Sequence, residues 1–428
     1  MMTAEAIQEI ECSRGSAALR PEDETRSSSD LTGIRILVVM PSIPVQGMER
    51  SNLQIFRMMR ALGADVLFVT EQTYGHRMQQ EIEAINCRWV SASFITKVEE
   101  RLHLSRSPRE MAVIVRAWLR ANRAVKAASR EFRPHVIYIP GLAALIYSLS
   151  TVWRAKQPVV FRLPNPPGLN HRGFKKIIGG WLWSQCVARV VDVFVCNSNY
   201  TLERLKNAGV RPRISRVIHN CLSDRRPPDV TDSPRAVPGR VNVVYLGRIR
   251  AEKGVDVLVD AAWRIVKERD DVDFYLAGEY KWMNPFADSL IAKVTASSLE
   301  SRIKFTGQID DVFGLLDQCQ LHCCPSTSDG ESFPNVVLEA KSRGIPSVVF
   351  PTSGLPEAVT HLVDGYICPD RSVNSLYEGL SYFLERPSEM EAAGVAALGS
   401  MARFSPEGTS RQWAELFKEC WKGTPNAA

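Results

Sequence analysis

From residue 34 onward, unbroken apolar runs alternate with stretches of helical period. IRILVVM (34–40) has the continuous hydrophobicity of a strand buried on both faces. Across Met48–Leu62, the side chains of Met48, Asn52, Phe56, Met59 and Leu62 fall on one helical stripe. Gly63 ends that helix and ADVLFVT opens the next strand. HVIYIP (135–140), PVVFRLP (158–164), VDVFVCNS (191–198) and SRVIHN (215–220) repeat the alternation, with helical stretches between. Strand, helix, strand in this order predicts a parallel sheet covered by helices.

The pattern breaks at CLSDRRPPDVTDSPRAVPGR (221–240), whose proline and charge mark a linker. A second series opens at VNVVYLGRI (241–249) and continues through VDFYLAG, RIKFTG, QLHCCPS, IPSVVF and DGYICP. The expected fold is therefore α/β, with two Rossmann-like, doubly wound domains facing each other across a cleft. Residues 31–225 form the first domain, 226–240 the linker and 241–405 the second domain. An amphipathic helix at 406–422 closes the chain and packs back on the first domain. Ligands of such sheets bind beyond the carboxyl ends of the strands, where the cleft lies. No internal repeat of 20–50 residues is present.

The 428 residues are 45% hydrophobic and 23% charged, ordinary for globular domains. The net charge of +6 conceals two unlike halves: residues 1–240 carry 35 Lys/Arg and 21 Asp/Glu, the remainder 18 and 26. Opposite charge implies different partners for the two domains. The ten cysteines form no CxxC pair. His322, Cys323 and Cys324 alternate faces in a strand and chelate poorly, so no metal site is expected and a reduced, cytoplasmic setting fits. Residues 1–30 are acidic and serine-bearing, expected as a disordered tail without a secretory core. Leu142–Trp153, among the longest apolar stretches, falls short of the about 20 residues of a membrane-spanning helix.

Neither first strand–helix loop carries GxGxxG, and GxxxxGK[ST] is absent, which argues against dinucleotide and P-loop chemistry. LGRIRAEKG (246–254) instead places Arg248 and Lys253 at a strand's carboxyl end. There a forked guanidinium and an ammonium can meet a diphosphate. In CCPSTSDGESFPNVVLEAKSRGIP, a strand, a turn and a helix follow in succession, with Pro334–Asn335 at the helix start. The free N–H groups there suit an anion. Glu331 in the turn can reach a sugar hydroxyl, and Glu339 in the helix can accept from a ribose diol. Asp271–Asp273 (DVD) precedes a strand, at the wrong end of the sheet for a cation site, and is expected as solvated surface.

YLGRIRAEKGVDVLVDAAWRI, FTGQIDD and CPSTSDGESFPNVVLEAKSRGIPSVVFPTSGLPEAVTHLVDGYICP together resemble the carboxyl domain of glycosyltransferase family 4, a retaining family of GT-B fold. The first half is similar more loosely, through IRILVVMPSIPVQGMERSN, VFVCNSNYTLERLKNAG and SRVIHN. The resemblance implies a metal-independent transfer of a hexose-type sugar from a nucleotide diphosphate donor to a glycan, lipid-linked or small-molecule acceptor, with no cofactor. It implies that Arg248 and Lys253 hold the diphosphate and that Glu331, first in a Glu-x7-Glu motif, positions the transferred sugar. Glu339, second in that motif, binds the ribose. Ser332, Phe333 and Asn335 meet donor oxygens, and Gly307–Ile309 flanks the base. The first loop reads Gln46-Gly47 where the family often has Gly-Gly, and Gly47 is the donor-side glycine kept. No histidine occupies IPGL (139–142) or RLPNPP (162–167), so Arg162 and Asn165 are the acceptor-side polar groups, with His171 nearby in sequence. Asn220-Cys221 stands for the usual Asn-Gly. Two alternatives share the fold: a non-catalytic sugar-nucleotide-binding protein, and a sugar-nucleotide epimerase or phosphorylase.

Two basic stretches, 101–133 with nine Lys/Arg against two Glu, and 171–189 with Lys175, Lys176, Trp181 and Trp183, suit an anionic bilayer surface. No nucleic-acid module accompanies them, so nucleic acid is not expected as a partner.

Overall fold

The computed structural model describes residues 30–41, 47–71, 77–92, 94, 108–163, 183, 187–222, 239–280, 284–329 and 332–422. The first domain is built on seven strands, β1 (Arg35–Met40), β2 (Asp65–Thr70), β3 (Arg88–Ser91), β4 (Val136–Pro140), β5 (Val159–Leu163), β6 (Val193–Cys196) and β7 (Ile214–Val217). They pair in parallel in the order β3-β2-β1-β4-β5-β6-β7. Helices α1 (Gly47–Ala61), α2 (Arg77–Ala84), α3 (Pro108–Phe132), α4 (Leu142–Val152) and α5 (Asn199–Asn207) lie between successive strands.

The second domain has six parallel strands, β8 (Val241–Leu246), β9 (Val272–Ala277), β10 (Ile303–Gly307), β11 (Leu321–Cys324), β12 (Ser347–Val349) and β13 (Gly365–Ile367), ordered β10-β9-β8-β11-β12-β13. Its helices are α6 (Val255–Glu268), α7 (Pro285–Ala296), α8 (Val312–Leu316), α9 (Asn335–Lys341), α10 (Leu355–Ala358), α11 (Val373–Leu384) and α12 (Pro387–Ser400). The closing helix α13 (Pro406–Lys422) lies against α1 and β4 of the first domain. Trp413 and Phe417 meet Tyr138 and Phe56 there, at ring-centroid distances of 5.8 Å (Trp413–Tyr138) and 6.4 Å (Phe417–Phe56).

Strand order reverses between β1 and β4 in one sheet and between β8 and β11 in the other. At such a reversal the loops leaving adjacent strands diverge to opposite faces and open a crevice. The strands flanking both reversals are buried throughout, apart from the first residues of β1 and β8.

The DVD segment is not solvated surface. Asp273 lies inside β9, 1% exposed, and its carboxylate takes Arg240 at 3.0 Å, Arg302 at 2.7 Å and Lys304 at 3.1 Å. A carboxylate at that depth is tolerated because three cations converge on it. Asp271 pairs with Arg269 at 2.7 Å. His322 and Cys323 are fully buried in β11; His322 Nδ1 lies 3.0 Å from Ser347 Oγ, and burial pulls its pKa down to about 3. Among the described residues no helix is long and apolar enough to cross a membrane, and no group of three His, Cys, Asp or Glu side chains is arranged to hold a metal ion. The expected tail and nearly all of the linker lie outside the described residues.

Candidate donor site at the interdomain cleft

The basic turn and the Glu-bearing segment, far apart in sequence, follow adjacent strands. β8 pairs with β11 through Val243–Leu321 and Val244–His322, so the loops that leave their carboxyl ends meet. Three bonds converge on the Glu252 carbonyl: Thr327 N at 3.2 Å, Ser328 N at 3.1 Å and Ser326 Oγ at 3.2 Å. Gly254, with φ +66°, ends the basic turn where a Cβ would stand 2.0 Å from the Pro325 carbonyl oxygen, so only glycine allows this approach. Arg248 is exposed and Lys253 half-buried. The Tyr245 hydroxyl donates to the Arg248 carbonyl at 2.9 Å and steadies the turn. Arg248 also lines a cavity of about 390 Å³ with Arg250, Glu252, Glu279, Asn284 and Phe286.

Glu331 lies outside the described residues. Beyond it Ser332, Phe333 and Pro334 are buried, and α9 begins at Asn335. Glu339, in the second turn of α9, is half-buried; burial raises its pKa, and the Arg50 guanidinium of the first domain partly offsets this. Gly307, with φ +72°, ends β10 with Ile309 half-buried beyond it, and its carbonyl accepts from Gly278 N at 2.8 Å.

The first domain reaches this segment directly. Asn197 Nδ2 donates to Ser332 Oγ at 2.8 Å, and Asn220 Nδ2 donates to Asn335 Oδ1 at 2.7 Å. A Cβ on Gly47 would stand 3.9 Å from Asn335 Nδ2. Arg162, expected on the acceptor side, is 3% exposed and committed within the protein. It donates to Asn52 Oδ1 at 2.6 Å, Ser51 Oγ at 2.7 Å and Asn220 Oδ1 at 2.7 Å. Asn165 and His171 lie outside the described residues.

Two contributors, Glu357 and His219, were not singled out from sequence. Glu357 of α10 accepts from Asn199 N at 2.8 Å and Tyr200 N at 2.8 Å, at the start of α5. It also accepts from Asn199 Nδ2 at 3.0 Å and lies 3.1 Å from His219 Nε2. The His219 ring lies 4.7 Å from Phe333. Outside this cluster Glu71, the residue after β2, has Oε2 buried and without a hydrogen-bond partner among the described residues, and burial pushes its pKa up to about 7. The phrase GLPEAV carried Glu357 in plain view, but nothing local says that a glutamate after Gly-Leu-Pro caps a helix of the other domain.

Residues 45–226 match the family model Glycosyltransferase Family 4, and residues 240–386 match Glycosyl transferases group 1. The chain is 25% identical over 221 residues to the GDP-mannose-dependent monoacylated alpha-(1-6)-phosphatidylinositol monomannoside mannosyltransferase of Corynebacterium glutamicum, covering 48% of this chain and 56% of that protein. It is 26% identical over 191 residues to the D-inositol 3-phosphate glycosyltransferase of Segniliparus rotundus, 44% of this chain and 41% of that one. Against an exopolysaccharide phosphotransferase of Streptomyces coelicolor, 26% identity over 187 residues covers 44% of this chain and 19% of the relative. Each alignment takes in less than two thirds of the relative's length. Among solved structures, a glycosyltransferase from Rickettsia africae superposes with a TM-score of 0.74 at 16% identity, over 91% of this chain and 99% of that one. Anabaena HepE in complex with UDP and glucose gives 0.71 at 19%, over 90% and 100%. These likenesses show a shared fold of two facing parallel-sheet domains, the GT-B architecture. With the two family models matching in succession along both domains, the chain belongs to glycosyltransferase family 4.

Proposed function

We propose that this protein is a retaining, metal-independent glycosyltransferase. It moves a hexose-type sugar from a nucleotide diphosphate donor to a glycan, lipid-linked or small-molecule acceptor, and works in the cytoplasm. One observation carries the reading: the Arg248–Lys253 turn is clasped by hydrogen bonds to the loop that leads into Glu331, Ser332, Asn335 and Glu339. In the reaction, the acceptor oxygen bonds to the anomeric carbon and the bond from that carbon to the β-phosphate oxygen breaks. The acceptor's proton leaves with the diphosphate. Negative charge grows on the departing group, where Arg248 and Lys253 oppose it without reorganising. Glu339 holds the ribose hydroxyls, Glu331 positions the sugar, and Gly307–Ile309 borders the base. Ser332, Phe333 and Gly47 complete the donor side.

The test begins with thermal shifts against UDP-, GDP- and ADP-sugars; a donor at about a hundred times Kd adds about 2.7 kcal/mol of stability. Release of nucleotide diphosphate, with chelator present, then separates a transferase from a protein that only binds the donor. Conversion of the donor without acceptor would identify an epimerase. Arg248→Ala and Lys253→Ala are each expected to slow turnover about 100- to 1,000-fold. Glu331→Ala should lower kcat far more than donor affinity, and Glu339→Ala chiefly donor affinity. Negligible effects of all four, or donor that binds only with magnesium, overturn the proposal.

A further inference from the structure

Among the described residues few large apolar side chains are left exposed, and five of them share two neighbouring helices: Val113 (60%), Val115 (44%) and Leu119 (40%) on α3, Leu149 (37%) and Trp153 (60%) on α4. Trp118 Nε1 donates to the Ile146 carbonyl at 2.8 Å and Ser150 N to Asn122 Oδ1 at 3.0 Å, so the helices run side by side. Val115, Leu119 and Asn122 follow one another at helical spacing on the margin of α3 that meets α4. Ile146, Leu149 and Trp153 do the same on α4. The outer surface of the pair is therefore an apolar strip spanning both helices.

A row of arginines runs beside it. Arg116, Arg120, Arg123 and Arg130 are exposed, Lys126 is half-buried, and Glu131 is the sole acid between 112 and 132. Among the described residues no carboxylate lies within ion-pair distance of Arg116, Arg120 or Arg123. Like charges three and four positions apart repel, which an ordinary solvated helix face relieves with interspersed acids. Among the described side chains this helix has Glu131 alone against five cations, and the face adds apolar groups that gain nothing from water. We propose that the α3–α4 face docks on an anionic lipid bilayer, arginines on the headgroups, Val115, Leu119, Leu149 and Trp153 in the interface. The polar–apolar pairing favours lipid over nucleic acid, whose phosphates leave exposed Val and Leu unserved. The amino ends of both helices lie toward the carboxyl ends of the strands, so a docked protein holds its cleft beside the bilayer. In the other basic stretch Trp183 is buried, its ring 6.0 Å from that of Phe161, and residues 171–182 lie outside the described residues.

The full chain is expected to co-sediment at low salt with vesicles containing phosphatidylglycerol and to remain in solution with pure phosphatidylcholine. At about 1 kcal/mol per cation, Arg116→Gln, Arg120→Gln and Arg123→Gln together should weaken partition on the order of 100-fold. Leu119→Ser with Trp153→Ser should weaken it separately at high salt. Melting curves and nucleotide release of both variants should match the parent, since none of these residues touches the donor site. Absence of binding to phosphatidylglycerol vesicles, unchanged binding by the arginine variant, or binding to RNA in preference to vesicles each overturns the inference. None of these outcomes bears on donor chemistry, so docking and the proposed reaction fail separately.

Discussion

Burying the Arg162 guanidinium takes a cation out of water, and among the described residues its acceptors, on Ser51, Asn52 and Asn220, are all neutral oxygens. The Tyr138 hydroxyl donates to the same Asn52 oxygen at 2.7 Å, so the cluster is shared among β4, β5, α1 and the segment after β7. Asn220 passes it on to Asn335, at the start of α9. Arg162 therefore acts by placing other groups. Arg162→Met takes the charged donor from both oxygens, leaving Asn52 Oδ1 with the Tyr138 hydroxyl and Asn220 Oδ1 with Ser51 Oγ, at 3.2 Å. Hydrogen bonds to charged groups contribute about 1.5–3 kcal/mol each, so roughly 3 kcal/mol of stability should be lost in urea unfolding. Donor KM should rise with it. The residue type was legible in sequence, the role was not, because an Arg at a strand's carboxyl end reads alike whether it faces solvent or Asn52. Asp273 shows the same limit: three cations from Arg240, Arg302 and Lys304 turn an apparent surface acid into a buried anchor.

Helix α9 has only seven residues, too few for a helix to hold by its own hydrogen bonds. It is pinned from behind. Lys341, fully buried, meets Asp364 at 2.6 Å and donates to Ser400 Oγ at 3.0 Å, while Thr360 N donates to Asp364 Oδ1 at 2.7 Å. Burial lowers the Lys341 pKa, against the pull of Asp364. On the front, Gly354 stands where a Cβ would lie 1.9 Å from the Ser332 carbonyl oxygen. Lys341→Met leaves Asp364 buried and unpaired and should destabilise the fold by about 3–5 kcal/mol. Replacing both, by Met and Asn, should recover much of that loss in a melting experiment; equal losses would show that the pair is not what holds α9.

Between the domains, Glu357 joins α10 to the amino end of α5 and to His219, while Asn197 and Asn220 hold Ser332 and Asn335. Burial pushes the Glu357 pKa up, but the bonds from His219, Tyr200 N and Asn199 outweigh it, and the net shift is downward from 4.5. A depressed carboxyl favours the contact above its ordinary pKa, and the gain is lost as pH falls through the lowered value. The carboxylate's own contribution to the domain contact should thus be constant near neutrality and fall away in acid below about 4.5. Glu357→Gln should loosen it at neutral pH. Small-angle scattering should then show a larger radius of gyration, and donor KM should rise at unchanged melting of each domain. A radius unchanged in the variant would remove Glu357 from that role.

Period and punctuation alone, read along the chain, yielded two parallel-sheet domains, because strands buried on both faces leave short apolar runs that alternate with stretches of helical period. The motif segments were visible for a similar reason: a turn that must bring cations, glycine and proline to one strand end has little freedom in composition. Tertiary structure alone decided which charges are paired, that Arg162 faces inward, that Asp273 is core, and that Glu357 closes on the opposite domain. Those outcomes depend on side chains drawn together from distant positions by strand order, and a one-dimensional pattern records neither the neighbour nor its charge.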